Sequence, residues 1–345
     1  MPTLEHKVAF LSSAPAYGGT KGAVEVIETH MAWVFLTESE VYKLKKPVRY
    51  SFLDFSSPEK RRLICEEELR LNRRLADDTY KEVLALRQEA DGGLSLEGNG
   101  RIVDWLVVMK RLPEEACLHC RIAADLFRSD EAASLGTLLG NFYASLPRET
   151  GTDYRLHLEE EHAVNRELLR DPQFGLGPAD LLPLDRFDAA LRTMKTEFDD
   201  RLRTGPIVEG HGDLRPEHVF LVEPIQIIDC LEFNRSMRVL DPYDEVNYLG
   251  LECELLGAGW IRKVLLDALK KTLGNPPPPE LLAFYGTFRA LLRARLCLAH
   301  LLETPVRHEG KWRPLAKRCL EIAERESLSL PSRGSPKEAR PSPGA

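Results

Sequence analysis

The sequence has 345 residues, a length that suits two domains or one large two-lobed domain. Hydrophobic residues make up 43% and charged residues 29%, which is ordinary for a globular protein. The formal net charge of −7 argues against general nucleic-acid binding, because a phosphate backbone requires clustered Lys and Arg.

The first part of the chain predicts a small antiparallel sheet. Residues 1–22, rich in Ala, Gly and Ser, predict a loosely ordered lead-in. Strands are predicted over 23–27, 32–37 and 41–46, and Pro47 ends the third. Along that strand the period of two places Lys43 and Lys45 on one face and Lys46 on the other. The alternative interpretation of these lysines is a solvated strand edge.

A helix is predicted from Pro58 to about Ala76. Ser57 suits its N-cap, and proline suits the first helical position. Glu68 shares a helix face with the apolar residues Ile64, Leu71 and Leu75. A carboxylate on an apolar face is costly unless it is paired. The alternative is that residues 66–68 form an ordinary solvated acidic patch.

Strands are also predicted over 83–88, 94–96 and 102–110, after which the pattern becomes helical. Amphipathic helices are predicted over 123–146, 156–170, 184–203, 244–256, 261–273 and 280–303. The stripe of Phe284, Phe288, Leu291 and Leu292 is expected in the core. His157 and His162 lack the H-E-x-x-H spacing and are expected on a solvated helix face. Residues 331–345, rich in Pro, Ser, Gly and charge, are expected to be a disordered tail.

The segment with the most recognisable chemistry covers residues 210–229. A short loop presents His211 and Asp213, and an apolar strand over 219–221 follows. After a turn at Glu223-Pro224, a second strand over 225–228 ends on Asp229. Two carboxylates at neighbouring loop and strand ends, with a histidine nearby, can hold a divalent cation and orient a hydroxyl for attack on a phosphoryl group.

These motifs resemble the aminoglycoside phosphotransferase family, the small-molecule branch of the protein-kinase-like fold. His211-Gly212-Asp213 matches the H-G-D catalytic loop of the family, and Ile228-Asp229 matches its strand-end metal aspartate. The segment 240–245 resembles the D-P-x-x-D segment that follows. Residues 41–47 and 66–74 resemble a subgroup often fused to a P-loop kinase domain, whose G-x-x-x-x-G-K-[S/T] signature is absent from these 345 residues. The resemblance extends over residues 23–325.

The resemblance implies an α+β, two-lobed protein-kinase-like fold. Residues 23–111 would be a small N-terminal nucleotide-binding lobe with an antiparallel sheet and one helix. Residues 112–330 would be a larger, mainly helical lobe for catalysis and acceptor binding. The implied reaction is transfer of the γ-phosphoryl group of ATP, with Mg²⁺, to a hydroxyl of a small molecule.

The resemblance also implies roles around the reacting phosphate. Asp213 would accept or orient the acceptor proton, and Asp229 would bind Mg²⁺. His211 would brace the loop by hydrogen bonds. Arg215 would reach the acceptor or the phosphate, unless it is an ordinary surface arginine.

On the nucleotide side, the family pattern fits Lys43 best as the phosphate-binding lysine, with Lys45 and Lys46 as alternatives. Glu68 would hold that lysine. The hinge whose backbone faces adenine would span 109–112, which includes Met109 and Arg111. The family's tight glycine loop, G-x-G-x-x-G, is absent, so any cover over the phosphates would come from residues 28–31.

One position departs from the family pattern. His218 stands where the family has an asparagine that serves as a second metal ligand, and imidazole suits a hard cation poorly. Either one metal site is weakened, or Glu232 substitutes, or His218 contacts phosphate. Two alternatives stay open. His218 and the missing glycine loop would suit a catalytically weak or inactive nucleotide-binding regulatory protein. A metal-dependent hydrolase would instead use His211, Asp213, His218 and Asp229 as its site.

The remaining expectations concern partners and location. A small-molecule acceptor is expected, without nucleic acid or membrane; neither the acceptor nor the oligomeric state can be determined from the sequence. Seven scattered cysteines predict reduced thiols, including Cys117 and Cys120, and a cytoplasmic location. The apolar stretch 281–302 contains three arginines and is not expected to cross a membrane.

Overall fold

The structure, a computed structural model, describes residues 2–19, 22–50, 53–150, 154–303, 306 and 308–331. The chain divides into two compact units. The first comprises Met1–Phe127 with His211–Arg238, and the second Arg128–Gly210 with Val239–Ala345. The predicted lobes, 23–111 and 112–330, follow the chain, whereas the first unit also takes in the later segment that contains the H-G-D loop.

The first unit is built on a six-stranded antiparallel sheet in the order β1-β2-β3-β8-β6-β7. The strands up to β8 are β1 Glu25–Glu28, β2 Ala32–Leu36, β3 Glu40–Lys45, β4 Arg49–Tyr50, β5 Leu53–Asp54, β6 Tyr80–Gln88, β7 Leu94–Ser95 and β8 Arg101–Lys110. The short strands β4 and β5 pair with each other. The helices up to residue 127 are α1 Leu4–Leu11, α2 Pro58–Ala76 and α3 Leu118–Ala123. This arrangement confirms the predicted antiparallel sheet with one long helix.

The two faces of β3 pack against different helices, as the period of two requires. Tyr42 and Leu44 are buried in an apolar cluster that includes Leu11 of α1. On the other face, Val41 packs against a cluster that includes Cys65 of α2. Lys43 and Lys45 share that second face, so their ammonium groups are directed toward α2.

The lead-in is better ordered than expected between residues 4 and 17. Thr3 caps α1 by accepting a hydrogen bond from the backbone N–H of His6, and a 3₁₀ turn spans Ala14–Tyr17. Lys7 of α1 is buried, with its Nζ 2.6 Å from Asp104 of β8. Apolar packing of α1 on the sheet and this ion pair explain the order, which Ala, Gly and Ser composition does not reveal.

Helix α2 confirms the prediction at both ends. Ser57 accepts a hydrogen bond from the backbone N–H of Lys60, and Pro58 opens the helix. Arg61 donates two hydrogen bonds to Asp104, at 2.7 and 2.8 Å, so this carboxylate joins both helices to β8. The position of α2 on the sheet is therefore fixed by a buried, charge-assisted bidentate contact.

The second unit is mainly helical. Its helices are α4 Ser129–Ser145, α5 Tyr154–Leu169, α6 Pro178–Thr193, α7 Lys195–Thr204, α8 Pro242–Leu255, α9 Trp260–Thr272, α10 Pro279–Ala299 and α11 Glu309–Ser327. The predicted helix over 123–146 is wrong as one element, because the backbone leaves the helix at Ala124 and Asp125 takes a φ of +54°. Residues 184–203 likewise split at Met194, and α11 was not predicted.

The apolar stripe of α10 lies in the core of the second unit, as predicted. Phe284, Phe288 and Leu291 are buried, and Leu292 packs partly buried against them. His162 of α5 is also buried, with its ring 4.4 Å from that of Phe187. The expectation of a solvated face was therefore wrong for His162, because α6 covers that side of α5.

The segment 240–245, compared above with D-P-x-x-D, has structural contacts within the second unit, and its second aspartate, Asp244, follows Asp241 by three positions rather than four. Asp241 caps α8 and makes an ion pair with Arg201 at 2.5 Å, and Asp244 makes one with Arg289 at 2.6 Å. Both aspartates have no exposed surface. Two short strands, β9 Val208–Glu209 and β12 Val239–Leu240, pair antiparallel beside them.

Within the described ranges, no helix is long and apolar enough to cross a membrane. The predicted disordered tail, 331–345, lies outside the described residues except for Pro331.

Candidate active site

A short hairpin brings the two motif aspartates to one region of the first unit. Strands β10 Val219–Phe220 and β11 Gln226–Ile227 pair antiparallel, close to the predicted strands. The backbone N–H of Ile228 donates to the carbonyl of His218 at 2.9 Å. The hairpin therefore sets residue 218, just after the H-G-D loop, beside residue 229.

His211 holds the backbone of the loop. Its Nε2 lies 2.9 Å from the carbonyl oxygen of Ile228, which only accepts, so Nε2 carries a proton. Its Nδ1 then accepts from the backbone N–H of Asp213 at 3.3 Å. The ring is buried and both nitrogens serve the backbone. These are the hydrogen bonds that a bracing role requires, and the role itself stays a prediction.

The loop requires glycine at position 212. Its φ is +88°, and a β-carbon there would lie 2.9 Å from the β-carbon of Arg238 and 3.0 Å from that of Leu231. Both the backbone conformation and the close approach of the 230–238 segment require glycine. Backbone conformation and packing therefore explain why the middle residue of the H-G-D motif is glycine.

Asp213 and Asp229 both lie beside the imidazole of His218. Nδ1 of His218 donates to the carbonyl oxygen of Asp213 at 2.8 Å and lies 3.8 Å from the Asp213 carboxylate. Nε2 lies 3.6 Å from Oδ2 of Asp229. The aspartate side chains keep 37% and 43% of their surface exposed, so both carboxylates are accessible to a ligand.

Asp229 has a left-handed backbone, with a φ of +61°. Aspartate is among the few residues that tolerate this region, which clusters at functional sites. The backbone N–H of Asp229 donates to the hydroxyl of buried Tyr80 at 3.1 Å. Desolvation opposes ionisation of this carboxyl, but Lys43 and His218 outweigh it and hold the pKa of Asp229 well below its usual range.

Lys43 joins the strand, the helix and the loop. Its Nζ lies 2.9 Å from Oε1 of Glu68 and 2.6 Å from Oδ1 of Asp229. Burial alone would lower the pKa of Lys43, but the carboxylates of Asp229 and Glu68 outweigh it and raise that pKa well above its ordinary value. The ammonium group is therefore a permanent positive charge beside Asp229.

The three lysines of β3 and its end occupy distinct environments. Lys45 is 1% exposed, and its ammonium group pairs with Glu68 and Glu232. Lys46 makes contacts at 2.6 Å with the Glu28 carboxylate and the Thr29 carbonyl, in the turn between β1 and β2. Only Lys43 of the three contacts Asp229 and keeps an accessible side chain beside it, at 14% of its surface.

Glu232 lies in this buried network. Its side chain is 8% exposed and ion-paired with Lys45, and burial raises its pKa. Glu68, between the two lysines, has no exposed surface. Burial opposes its ionisation, but Lys43 and Lys45 lower its pKa below the ordinary value. Glu232 is thus committed to Lys45 rather than presented beside Asp229.

The other predicted residues lie in ordinary structural environments. Met109 pairs with Val41 across the sheet and its side chain is buried below α2. Arg111 donates to the Thr37 carbonyl at 2.8 Å and to Glu25 at 3.0 Å. Arg215 makes an ion pair with Glu217 at 2.8 Å within the loop. Roles for these three in ligand binding stay predictions.

Two residues of α2 that the sequence analysis did not assign hold the segment after Asp229. Asn72 accepts from the backbone N–H of Cys230 at 2.8 Å, and Glu67 pairs with Arg238 at 2.7 Å. Asn72 lies one turn after Glu68 on the same buried face. An asparagine four positions after Glu68, on the apolar face of the predicted helix, is the sequence signal that could have identified it.

A divalent cation fits these residues only together with further ligands. In the described part of the first unit, no three His, Cys or carboxylate ligand atoms lie close enough to share one ion. Magnesium in phosphoryl-transfer sites is commonly held by one or two carboxylates plus substrate phosphates, not by an all-protein cage. Asp229, with one oxygen engaged by Lys43 and the other beside His218, fits that kind of site.

Comparison of the sequence with known proteins gives distant relatives. No protein-family model matches the chain. An uncharacterised protein of Mycobacterium tuberculosis (strain H37Rv) and one of Mycobacterium bovis are each 29% identical over 286 residues, which cover 79% of this chain and 54% of the relative. The chain spans about half the length of these curated relatives.

Comparison with solved structures identifies the fold. A choline kinase from Cryptosporidium parvum matches with a TM-score of 0.54 at 9% identity, covering 93% of this chain and 95% of that one. A choline/ethanolamine kinase family protein from Mesorhizobium loti matches with a TM-score of 0.52 at 15% identity, covering 94% and 98%. An aminoglycoside phosphotransferase from Streptomyces rimosus is also a neighbour, with a TM-score of 0.46 at 19% identity, covering 83% and 98%.

The first unit's sheet with its helix and the larger helical unit therefore form the protein-kinase-like fold. This is the fold that choline/ethanolamine kinases and aminoglycoside phosphotransferases share. The predicted fold class is confirmed.

Proposed function

We propose that this protein is a phosphotransferase that moves the γ-phosphoryl group of ATP to a hydroxyl of a small molecule. The observation that carries the proposal is the contact of Lys43 with both Glu68 and Asp229, at 2.9 and 2.6 Å. It places a fixed positive charge next to an accessible carboxylate, which is the combination that phosphate and its metal ion require.

In this proposal each residue has a separate task. Lys43, oriented by Glu68, neutralises charge on the nucleotide phosphates. Asp229 would hold Mg²⁺, and the ion would supply positive charge that stabilises the nucleotide phosphates. Asp213 accepts a hydrogen bond from the acceptor hydroxyl and orients it for attack. His211 keeps the Asp213 backbone in place through the two hydrogen bonds described above.

The fold and the ionised network support this proposal over a metal-dependent hydrolase. A catalytic zinc site of a hydrolase has three protein ligands and an open position. His211 uses both ring nitrogens on backbone groups, so it is not free to bind a metal. The described part of the first unit does not bring three such ligand atoms together.

The second candidate function is a nucleotide-binding regulatory protein with little or no turnover. His218 in place of the family asparagine favours it, because it changes a metal ligand while leaving Lys43 and Glu68 intact. This candidate and the enzyme both bind nucleotide, and they differ in turnover.

The deciding experiment is a calorimetric titration of ATP into the purified protein, with and without Mg²⁺. We expect binding at one site that strengthens with Mg²⁺. A folded protein that binds no ATP under either condition would refute both candidate functions. Binding justifies a screen of hydroxyl acceptors, including amino alcohols, sugars and aminoglycosides, in which turnover separates the enzyme from the regulatory protein.

A further inference from the structure

Two thiols that the proposed function does not use lie at the start of α3. Cys117 is the N-cap residue of that helix, and Cys120 is its third residue. At this spacing the two α-carbons lie within the range of about 4.4–6.8 Å that a disulfide spans. The side chains of these two positions also face each other across the first turn, as in a capping box. The pair is therefore placed to form a disulfide without unfolding of the helix.

The ionisation of Cys117 depends on its neighbour Cys120. Burial raises the pKa of Cys117, and the backbone N–H groups of His119 and Cys120 oppose that rise. The Cys120 thiol adds to the rise, which requires the two thiols to be close neighbours. Cys117 is 7% exposed whereas Cys120 is partly exposed, so Cys120 is the thiol that a solute reaches first.

Cys117 also contacts the 3₁₀ turn Pro216–His218, which belongs to the same unit. Its Sγ lies 3.5 Å from the carbonyl oxygen of Pro216 and 3.6 Å from that of Glu217. A carbonyl oxygen only accepts, so the thiol donates its proton toward this turn. A change at the Cys117 sulfur therefore acts directly beside the candidate active site.

We propose that Cys117 and Cys120 form a reversible disulfide, and that its formation removes the thiol contact to the turn Pro216–His218. Disulfides in reducing surroundings are usually transient, catalytic or redox-sensing, and this pair suits the sensing role. The inference does not depend on the proposed function, because neither thiol belongs to the phosphotransfer residues.

The oxidant in this proposal is a small disulfide such as oxidised glutathione. The Cys120 thiolate attacks one sulfur of the reagent, breaks its S–S bond and releases one small thiolate. Cys117 then loses its proton and attacks the Cys120 sulfur of the mixed disulfide, which releases the second small thiolate. The two protons pass through solvent to the released thiolates, so two protein thiols are oxidised and one small disulfide is reduced. The oxidised Cys117 sulfur carries no proton and cannot donate to the turn.

The test is mass spectrometry of the unmutated full chain after equilibration with oxidised glutathione. Alkylation of the remaining thiols and digestion with trypsin isolate residues 112–121, a peptide that contains both cysteines and no others. We expect this peptide to be free of alkylation and lighter by two hydrogen atoms than its reduced form, and dithiothreitol should reverse the change. A peptide that stays reduced, or that carries glutathione without an internal disulfide, would overturn the inference.

Hydrogen exchange measures the effect on the turn. The backbone N–H groups of His218 and Val219 close the turn by donating to the carbonyls of Arg215 and Pro216. We expect these two groups to exchange about threefold faster in the oxidised protein, the size expected for one lost hydrogen bond.

The variant Cys120→Ser is the control, because it keeps Cys117 and its contact but cannot form the disulfide. Its exchange should stay at the reduced rate in the same oxidant. Disulfide formation with unchanged exchange would overturn the coupling to the turn. An equal response in Cys120→Ser would assign the change to another thiol and overturn the coupling as well.

Discussion

The ammonium group of Lys43 lies 2.6 Å from the carboxylate of Asp229, although the two residues are 186 positions apart in the chain. The same ammonium group contacts Glu68 of α2 at 2.9 Å. One side chain thus connects β3, α2 and the loop after β11, and its charge is the feature on which nucleotide binding is expected to depend.

Replacement of Lys43 should therefore weaken nucleotide binding more than stability. We expect Lys43→Met to raise the Kd for ATP at least about tenfold, or about 1.4 kcal/mol, because the phosphates lose their main counter-charge. Glu68 keeps Lys45 as a partner and Asp229 is partly exposed, so the fold should survive. Calorimetric titration measures the effect. Lys317→Met, at an exposed position in α11, is the control, and equal affinity in both variants would contradict the assignment.

Replacement of Lys45 should reduce the stability of the fold more than it weakens nucleotide binding. Lys45→Met leaves the buried carboxylates of Glu68 and Glu232 with one partner fewer, and breaking a buried pair in this way costs roughly 3–5 kcal/mol. Urea unfolding measures the free energy of unfolding. The double variant Lys45→Met/Glu232→Gln should recover part of the loss, because it removes one of the unpaired charges. A double variant as unstable as the sum of both single variants would rule out this coupling.

Replacement of Asp213 should lower turnover and leave nucleotide binding almost unchanged. Loss of a positioned proton acceptor typically costs 10²–10⁴-fold in rate, so we expect Asp213→Asn to lower phosphotransfer by at least about 100-fold. The Kd for ATP should change by less than about twofold, or about 0.4 kcal/mol, because Asp213 is proposed to contact the acceptor and not the nucleotide. Turnover is followed as ADP release, and calorimetry reports the binding. Asp78→Asn, at an exposed position in the turn that follows α2, is the matched control. Full turnover in Asp213→Asn would remove Asp213 from the chemistry.

His162 should make the second unit sensitive to mild acid. Burial outweighs the attraction of Asp188 and lowers the pKa of His162 below its ordinary value. Between that ordinary value of about 6.5 and the lower folded value, the unfolded chain binds a proton that the folded chain does not. Stability contributed by this site is therefore present above about pH 6.5 and is lost as pH falls through the folded pKa.

Two measurements check the effect. An NMR titration of the His162 ring should give a midpoint below about 6.5. The pH dependence of the unfolding free energy between about pH 5 and 7 should be shallower in His162→Gln than in the unmutated protein. Parallel curves, or a midpoint above the ordinary value, would contradict the burial argument.

Much of the candidate site was visible in local sequence. Alternation along residues 41–46 identified the shared face of Lys43 and Lys45, and Ser57-Pro58 marked the start of α2. The H-G-D loop and the two short strands after it were also recognisable, because turns, caps and strand period depend on residues close together in the chain.

Other features of the site depended on the folded environment. Alternation treats Lys43 and Lys45 alike, yet packing leaves one beside an accessible aspartate and buries the other between two glutamates. The helix pattern of 156–170 likewise did not show that His162 is covered by α6. The burial and ion pairing of a side chain depend on which distant segment of the chain packs against it. The hydrophobic periodicity of one segment does not identify that distant segment.

The sequence by itself therefore determined the fold class and the main elements of the first unit, and it supplied the residues that we propose for phosphotransfer. Only the tertiary structure decided which lysine meets Asp229, that Glu232 is committed to Lys45, and how His218 is oriented between two aspartates. The physical reason is that a charged group's partners, solvation and pKa arise from contacts between residues up to 187 positions apart.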